Sequence, residues 1–278
     1  MTIPASPPAP PPSPFARMRD VMARLRDPVR GCPWDREQSF ATIAPYTIEE
    51  AYEVADAIER DDYVALKDEL GDLLFQVFFH ARLAEEAGLF AVDDVAASLI
   101  DKMVRRHPHV FGDAHVQDVA AQALRWEEHK AVERGANSAD PRGGALAGVP
   151  SNLPALARAQ KVQKRASRVG FDWGEAGPAL AKVSEEVVEL GAELGMGAEP
   201  GGAEPGRIEE EMGDLLFACV NVARLAGVDA ETALRRATRK FERRFRRVEA
   251  LLAERGRTPA QSTLAEMDAL WNVAKTQE

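Results

Sequence analysis

The sequence is poor in cysteine and has no long apolar run. Its two cysteines, Cys32 and Cys219, are far apart, which excludes a disulfide framework and a cysteine-based metal site. No stretch of about 18 apolar residues occurs, so no membrane-spanning helix is predicted. The first residues lack the basic and then apolar pattern of a secretion signal. Together these absences favour a protein of the reducing cytoplasm without a membrane partner.

Basic charge is also in deficit, because the 278 residues carry a formal net charge of −10. A nucleic-acid backbone prefers a basic protein surface, so nucleic acid is an unlikely partner. An acidic protein can still bind a small polyphosphate if divalent cations lie between the two sets of negative charge. Hydrophobic residues make up 45% of the chain, enough for a core. We expect only the proline-rich residues 1–14 to form a disordered or extended tail.

The chain repeats itself, which is its most informative feature. Two acidic segments, TIEEAYEV from Thr47 and VSEEVVEL from Val183, are each followed by a near-identical partner, KDELGDLLF from Lys67 and EEEMGDLLF from Glu209. Tryptophan turns recur upstream of each pair, and the basic segments KMVRR and KFERR recur downstream. Four landmarks in the same order indicate an internal duplication.

The duplication predicts two all-α domains of the same type. We place the first at residues 15–135, a linker rich in Gly, Ala, Pro and Ser at 136–150, and the second at 151–278. Apolar residues recur at three- and four-residue intervals, and no alternating strand pattern is found. The predicted helices are Glu69–Glu85, Glu211–Leu225, Ala230–Ala253 and Glu266–Ala274. The helices that carry the acidic segments are joined by residues 60–62 in the first copy and by the longer 196–206 in the second.

Each repeat carries a set of four carboxylates on two neighbouring helices. In the second repeat Glu186 and Glu189 lie three positions apart, as do Glu211 and Asp214, so each pair shares a helix face. An antiparallel arrangement of the two helices would bring the four side chains together. The first repeat offers the same set at Glu50, Glu53, Glu69 and Asp72.

Four carboxylates on stiff helices suit Mg²⁺, which takes oxygen ligands and which Mn²⁺ could replace. A bound metal neutralises phosphate oxygens and lowers the pKa of a coordinated water. A neighbouring carboxylate, Glu185 or Glu189, could then act as general base. The catalytic candidates are therefore Glu185, Glu186 and Glu189.

The alternative interpretation is a solvated acidic helix face, which is common in proteins. Two observations count against it. The second acidic pair of each repeat is surrounded by apolar residues on nearly every side, which predicts a buried helix where unpaired carboxylates are costly. Gly71 and Gly213 also lie within these helices, where glycine is unfavourable by about 1 kcal/mol relative to alanine. We therefore expect a close approach by a neighbouring helix or a ligand, although glycine could also only ease packing.

These motifs resemble the MazG family of all-α nucleoside triphosphate pyrophosphohydrolases. The resemblance covers nearly the whole chain after the proline tail and includes GCPWDREQSF, ATIAPYTIEEAYEV, ELGDLLFQV, RRHPHVFGD, LPALARAQKVQKRA, GFDW, EEEMGDLLFACVNVARLAG and KFERRFRRVE. It implies Mg²⁺-dependent hydrolysis of (deoxy)nucleoside triphosphates between the α- and β-phosphates, which yields a monophosphate and pyrophosphate. It also implies four-helix-bundle cores assembled in a homodimer.

Cleavage of a triphosphate requires positive charge beyond the metal. The resemblance assigns phosphate contacts to Lys240 and Arg244, and nucleotide contacts to Trp271 and Lys130; Lys182, one turn before Glu186, is a further candidate from its position. The alternatives are a solvated basic helix face for the lysines and arginines and a hydrophobic helix anchor for Trp271.

The two repeats differ at one informative position. Asn221 lies seven residues after Asp214 and could hydrogen-bond a ligand or a metal-bound water, whereas the first repeat has Phe79 there. We therefore predict that the second repeat is the main catalyst and that the first is weaker or mainly structural. Alanine at Glu186 or Asp214 should then abolish turnover, and alanine in the first set should spare most of it.

Other classes fit the sequence less well. A ferritin-like di-iron site needs Glu-x-x-His pairs, and a P-loop needs G-x-x-x-x-G-K-[ST]; neither occurs. A helical interaction protein that only binds nucleotides stays open as the non-enzymatic alternative. The preferred base and sugar, the number of metals per site and the physiological role, whether housekeeping or control of a signalling nucleotide pool, also stay open.

Overall fold

The computed structural model describes residues 12–112, 144–195 and 205–277, and in these ranges every regular element is a helix. This confirms the predicted all-α class. The described ranges leave out residues 1–11 of the predicted tail, residues 196–204 of the predicted loop and residues 136–143 of the predicted linker. Contacts divide the chain into two units at residues 129 and 130, so the predicted limits at 135 and 150 stay a prediction.

The first unit contains six helices in its described part. They are α1 (Pro14–Leu25), α2 (Pro33–Glu37), α3 (Phe40–Glu59), α4 (Tyr63–Glu86), α5 (Val92–Arg106) and α6 (Pro108–Phe111). The predicted tail ended at Pro14, but Pro14 is the first residue of α1. Ser13 caps this helix by accepting a hydrogen bond from the Ala16 backbone N–H, and proline is well tolerated at a first helical position.

Helices α3 and α4 form a hairpin that is closed by residues 60–62, as predicted. The side chain of Ser39 caps α3 and that of Asp62 caps α4. Asp61 adopts a positive φ of 54° in the turn between them. The hairpin packs on α1 through a core of apolar side chains, which consists of Met22, Ile43, Phe78, Phe79 and Leu83.

The second unit contains α7 (Ala155–Ser167), α8 (Ala176–Glu193), α9 (Pro205–Leu225), α10 (Ala230–Ala253) and α11 (Leu264–Thr276), with a 3₁₀ turn at Pro259–Gln261. The predicted bounds of α10 are confirmed, and α9 and α11 extend the predicted helices. Gln160 of α7 fixes the turn between α9 and α10, since its amide donates to the Val228 carbonyl and accepts from the Ala230 N–H.

Helices α8 and α9 are the counterpart of the α3–α4 hairpin. Their antiparallel direction follows from two ion pairs, Glu193 with Arg207 at one end and Asp172 with Arg224 at the other. The C-terminal helices α10 and α11 enclose a separate core of Val248, Leu251, Leu252 and Leu270. This arrangement leaves the acidic residues on the two hairpins.

The burial predicted for the second acidic helix of each repeat is wrong on one side. In α4, Leu70, Leu74 and Val77 are exposed, and in α9, Met212, Leu216 and Phe217 are exposed. Apolar periodicity predicts that a residue will be buried, but it does not tell whether the covering surface belongs to this chain or to a partner. The described residues of this chain cover only part of each helix. Among the helices that the structure describes, none is both long and apolar enough to span a bilayer.

Candidate active site

The hairpins bring carboxylates together in both repeats. In the second repeat, Glu186, Glu211 and Asp214 each offer an oxygen, and these three atoms lie within 4.8 Å of one another. Glu50, Glu69 and Asp72 form the same group in the first repeat. The i, i+3 spacing on one helix and the antiparallel neighbour together produce this convergence, as the sequence predicts.

The second group is the more enclosed of the two at its centre. Glu186 is only 5% exposed and lies on the inner face of α8, whereas Glu211 is half-buried and Asp214 is exposed. A buried carboxylate requires a compensating charge. Lys182 supplies one, because its Nζ lies 2.8 Å from Glu186 Oε1 and 2.6 Å from Glu185 Oε1.

The fourth predicted carboxylate of each repeat lies at the edge of the group. Glu189 is exposed and lies beside Glu186, and Glu53 is exposed and lies beside Glu50 and Glu69. Glu53 and Glu189 thus belong to the acidic clusters without being members of the three-oxygen groups.

Crowding changes the acidity of these side chains. Burial, followed by the charge of Asp72, raises the pKa of Glu50. Desolvation also raises the pKa of Glu69, with the charge of Glu53 as the next cause. The pKa of Glu189 is raised for the same first reason, with a further contribution from Glu186. Each cluster therefore holds protons more tightly than isolated glutamates would, and a divalent cation would relieve the same repulsion.

The sequence predicts that Lys182 contacts the nucleotide and that Glu185 acts as a general base, but in the structure both side chains already have a partner. The two side chains pair with each other, and Glu185 and Glu186 together raise the pKa of Lys182. Lys182 is therefore a cation that is already held against the carboxylate group. In the first repeat the same helix position is occupied by Tyr46.

Asn221 is 6% exposed and is already engaged. Its Oδ1 accepts a hydrogen bond of 2.9 Å from Arg224 Nε, and the other guanidinium nitrogens of Arg224 bind both oxygens of Asp172 at 2.6 and 3.1 Å. Hydrogen bonds from Arg224 hold the pKa of Asp172 below its usual range. Phe79, the first-repeat counterpart of Asn221, is fully buried in the core.

The Asp172–Arg224 pair was not found from the sequence. It joins the segment before α8 to the C-terminal part of α9 and so ties together the two helices that carry the carboxylates. The recurrence of an aspartate beside tryptophan in both tryptophan turns was the available signal, but nothing in the sequence identified Arg224, 52 residues later, as its partner.

The predicted nucleotide contacts lie on α10 and α11. Lys240 is exposed, and the guanidinium carbon of Arg244 lies 5.7 Å from the centre of the Trp271 ring. Trp271 also packs against Phe241, at 5.1 Å between ring centres, and against the α10–α11 core. Trp271 is therefore a helix anchor in this structure. Lys130 lies outside the described residues.

The close neighbour predicted at the two helix glycines is not found within the described chain. Apart from the neighbouring residues and backbone of its own helix, no atom of the described residues lies within 4 Å of a methyl group added to Gly71 or Gly213. Both glycines are exposed on the acidic helices, so no neighbouring helix among the described residues approaches them, and the alternative of a ligand stays a prediction.

Comparison with known proteins identifies the same two repeats in the chain. Residues 38–111 and 178–248 each match the MazG nucleotide pyrophosphohydrolase domain, and these segments contain both carboxylate groups. The chain is 50% identical to the nucleoside triphosphate pyrophosphohydrolase of Escherichia coli K12, over 94% of this chain and 97% of that protein. It is 40% identical to the nucleoside triphosphate pyrophosphohydrolase/pyrophosphatase MazG of Thermotoga maritima, over 94% and 95%. A nucleoside triphosphate pyrophosphohydrolase of Mycolicibacterium smegmatis is 41% identical over 59% of this chain and 50% of that protein.

Proposed function

Because the chain belongs to the MazG family of nucleotide pyrophosphohydrolases and is thereby a nucleoside triphosphate pyrophosphohydrolase, we propose that its second repeat performs this reaction with Mg²⁺. The reaction would cleave (deoxy)nucleoside triphosphates between the α- and β-phosphates and release a monophosphate and pyrophosphate. The observation that carries the proposal is the convergence of Glu186, Glu211 and Asp214 within 4.8 Å. The similarity to enzymes over nearly the whole chain disfavours the alternative of a non-enzymatic interaction protein.

The donor set suits the proposed metal. Three carboxylate oxygens at this separation are hard ligands, and the exposure of Asp214 leaves the group open to water and phosphate. Glu186, Glu211 and Asp214 would hold the ion, with Glu189 at the edge. When bound, Mg²⁺ supplies positive charge to phosphate oxygens and acidifies water. Mn²⁺ offers the same chemistry and is the expected substitute.

The remaining chemistry falls to side chains beside this group. Glu189 is proposed to accept the proton of the attacking water, because it is exposed, touches Glu186 and has a raised pKa. Glu185 is the other candidate base, although its carboxylate is already paired with Lys182. Lys182 pairs with Glu186 and is positioned to donate to a phosphate oxygen if its ion pair opens.

Phosphate and base contacts are proposed for the C-terminal helices. Lys240 and Arg244 lie one turn apart on α10 and would neutralise phosphate charge, and Trp271 would stack on the base while Arg244 lies over its ring. Asn221 and Lys130 complete the proposed nucleotide contacts. A nucleotide that uses Asn221 would share it with Arg224.

A homodimer is proposed to cover the exposed apolar side of the hairpins. Leu70, Leu74, Leu216 and Phe217 are each 40% exposed or more, and hydrophobic faces of this kind favour association. The sedimentation coefficient of the full chain tests this, because glutamate at Leu216 and Phe217 should shift a dimer towards monomer. A reducing cytoplasmic location, and a role in housekeeping or in control of a nucleotide pool, stay predictions.

The direct test is an assay of pyrophosphate release from each deoxynucleoside triphosphate with Mg²⁺, with chromatography of the products. We expect monophosphate and pyrophosphate in equal amounts, and alanine at Glu189 should slow their release. Formation of a diphosphate and inorganic phosphate would instead show cleavage at the γ-phosphate and contradict the proposal.

A further inference from the structure

A cleft of the first unit lies between the turn that joins α1 to α2 and the last turns of α4. Its volume is about 640 Å³, which is within the range of small-molecule sites in proteins. It is lined by three arginines, Arg26, Arg36 and Arg82, together with Glu37, Glu86 and two prolines. None of these residues belongs to the carboxylate groups. Guanidinium groups that share one concave surface favour an anionic ligand.

Arg26 is the fixed part of this lining. Its side chain is only 9% exposed. Its Nη1 donates to the backbone carbonyl oxygens of Asp35 and Gln38, and its Nε and Nη2 bind the carboxylate of Glu86. Its guanidinium carbon also lies 5.5 Å from the centre of the Phe79 ring. A side chain with so many partners cannot turn away, so Arg26 holds α2 against α4 and fixes the position of the cleft.

The turn beside the cleft is tightly wound. The Cys32 N–H donates to the Leu25 carbonyl oxygen at 2.8 Å. A side-chain carbon at Gly31 would clash with that same carbonyl oxygen, so the turn accepts only glycine there without opening. Pro28 and Pro33 line the cleft and restrict the backbone on either side of the turn. The wall is therefore formed before a ligand binds, which lowers the entropic cost of binding.

Two of the arginines retain unused donors. Arg82 donates through Nε to Glu86 and through Nη1 to Glu85, but its Nη2 has no partner among the residues that the structure describes. Arg36 is exposed, and its guanidinium makes no hydrogen bond or ion pair within the described ranges. Both groups line the same cleft, so it offers at least two sets of N–H donors to a ligand.

The charge of the lining is positive overall. Three guanidiniums face two carboxylates, and one of these carboxylates, Glu86, is already shared by two of the arginines. The other, Glu37, is exposed and forms no ion pair with a described residue. The nearby Asp27 carboxylate accepts hydrogen bonds from two backbone N–H groups of its own turn. Arg36 therefore adds a cation that no described carboxylate pairs with.

The second repeat has an equivalent arginine without a spare donor. Arg82 and Arg224 occupy the same position relative to the GDLLF segment of each repeat. All three guanidinium nitrogens of Arg224 donate within the chain, to Asp172 and Asn221. The arginine at this position is thus fully engaged in the second repeat and has a free nitrogen in the first, which makes the open cleft a property of the first unit.

We propose that this cleft binds a small phosphate-bearing anion without a metal ion. Arg36 and the Nη2 group of Arg82 would donate to its oxygens, while Arg26 keeps the cleft in shape. The volume exceeds what a single phosphate fills, which favours pyrophosphate, or the phosphates of a larger ligand, over inorganic phosphate. The site lies apart from the carboxylate groups and does not rest on the proposed function.

Isothermal titration of the full chain with pyrophosphate tests the proposal. The buffer would contain a chelator, because a phosphate held by the carboxylate groups needs a divalent cation and a phosphate held by arginines does not. We expect the wild type to bind and R36Q to weaken binding by roughly tenfold or more, since it removes a charged donor. E37Q should strengthen binding by roughly two- to fivefold, because it removes a negative charge from the lining. Opposite effects of adjacent substitutions would not follow from a general loss of folding.

R17Q is the matched control. Arg17 is also exposed and lies nine positions before Arg26, about 13 Å away along α1, so its replacement should leave the affinity unchanged. Inorganic phosphate and AMP are the companion probes. Tighter binding of AMP than of pyrophosphate, lost in R36Q, would support the site and show that its phosphate arrives on a nucleotide. Absence of binding of all three probes by the wild type would overturn the inference. Equal affinities of R36Q and R17Q would do the same, because the anion would then lie elsewhere, for example on the basic helix α10.

Discussion

Glu186 has the smallest exposed fraction among the carboxylates of the two groups, and it contacts a cation, a neighbouring glutamate and the two acids of the facing helix. A side chain in that position sets the geometry of the whole group. The first repeat has Tyr46 at the position where the second repeat has Lys182, the partner of Glu186. The two groups should therefore differ in function, although they share three carboxylates.

This asymmetry predicts unequal effects of matched substitutions. Glutamine at Glu186 or asparagine at Asp214 should lower the rate of pyrophosphate release by roughly a hundredfold or more, because loss of a proposed metal ligand would remove several kcal/mol of charge stabilisation. The same substitutions at Glu50 and Asp72 should lower it far less. Steady-state assays of the four variants would decide, and a larger loss from the first pair would reverse the assignment of the main catalytic repeat.

Arg224 supports a second prediction about single residues. Its side chain is 12% exposed and that of Asp172 is 22% exposed, so the pair is shielded enough to contribute to stability. Alanine at Arg224 should lower the free energy of unfolding by about 2 kcal/mol, since it leaves Asp172 and Asn221 without their shared donor. Urea unfolding at pH 7 would measure this loss.

The pH dependence provides the check on Arg224. The pKa of Asp172 is lowered in the folded state, so its stabilising effect is present above the unfolded value of 3.8 and disappears as the pH falls through the lower folded value. The difference between wild type and R224A should therefore shrink at pH 3. A difference that stays constant from pH 7 to pH 3 would contradict the role of this ion pair.

Prediction from sequence succeeded for residues that are neighbours on a helix and failed for distant pairs. Glu211 and Asp214 share a face because they are three positions apart, and that rule needs no tertiary structure. Asp172 and Arg224 meet only because α8 and α9 pack in one particular register. The engagement of Asn221 by Arg224 was missed for the same reason, since a sequence pattern shows the side chains that can bind a ligand but not those that are already bound.

At the scale of helices, the N-terminal cap of α3 contributes to the stability of the first acidic hairpin. Ser39 accepts a hydrogen bond from the Thr42 N–H, and the Thr42 hydroxyl accepts one from the Ser39 N–H, which forms a reciprocal cap. Alanine at Ser39 should lower the free energy of unfolding by about 1 kcal/mol. Ser184→Ala in the middle of α8 is the matched control. It should have little effect, because the Ser184 hydroxyl donates to the backbone carbonyl oxygen of Leu180 in the same helix. Equal losses in urea unfolding would show that the cap does not stabilise α3.

Helix limits were predictable where caps and loops are local. Ala230–Ala253 was predicted with the right ends, and Asp229 caps it through the Thr232 N–H. The start of α1 was misplaced because a proline-rich stretch resembles an extended tail, although Pro14 is compatible with a helix start after Ser13. The exposed side of α4 and α9 could not be predicted, because apolar spacing is the same whether the cover comes from this chain or from another.

For the whole molecule, the two acidic groups should make stability depend on pH and, under the proposed metal role, on Mg²⁺ as well. Without metal, the raised pKa values of Glu50, Glu69 and Glu189 mean that the folded state binds protons more tightly than the unfolded state. Their contribution to stability is therefore present below the ordinary value of 4.5 and is lost as the pH rises through the higher folded values. Acidification from neutral pH towards pH 5 should partly relieve the repulsion.

Mg²⁺ should reverse this trend, because at the proposed site it would compete with protons for the same oxygens. At a concentration a hundred times its dissociation constant, a ligand that binds only the folded state stabilises it by about 2.7 kcal/mol. We therefore expect Mg²⁺ to raise the melting temperature by several degrees at pH 7.5 and by much less at pH 5. Calorimetry at both pH values with Mg²⁺ or a chelator would measure the shift. The combined variant E50Q/E186Q should lose most of the shift at pH 7.5. A Mg²⁺ effect that is independent of pH, or one that persists in that variant, would place the bound ion away from the two carboxylate groups.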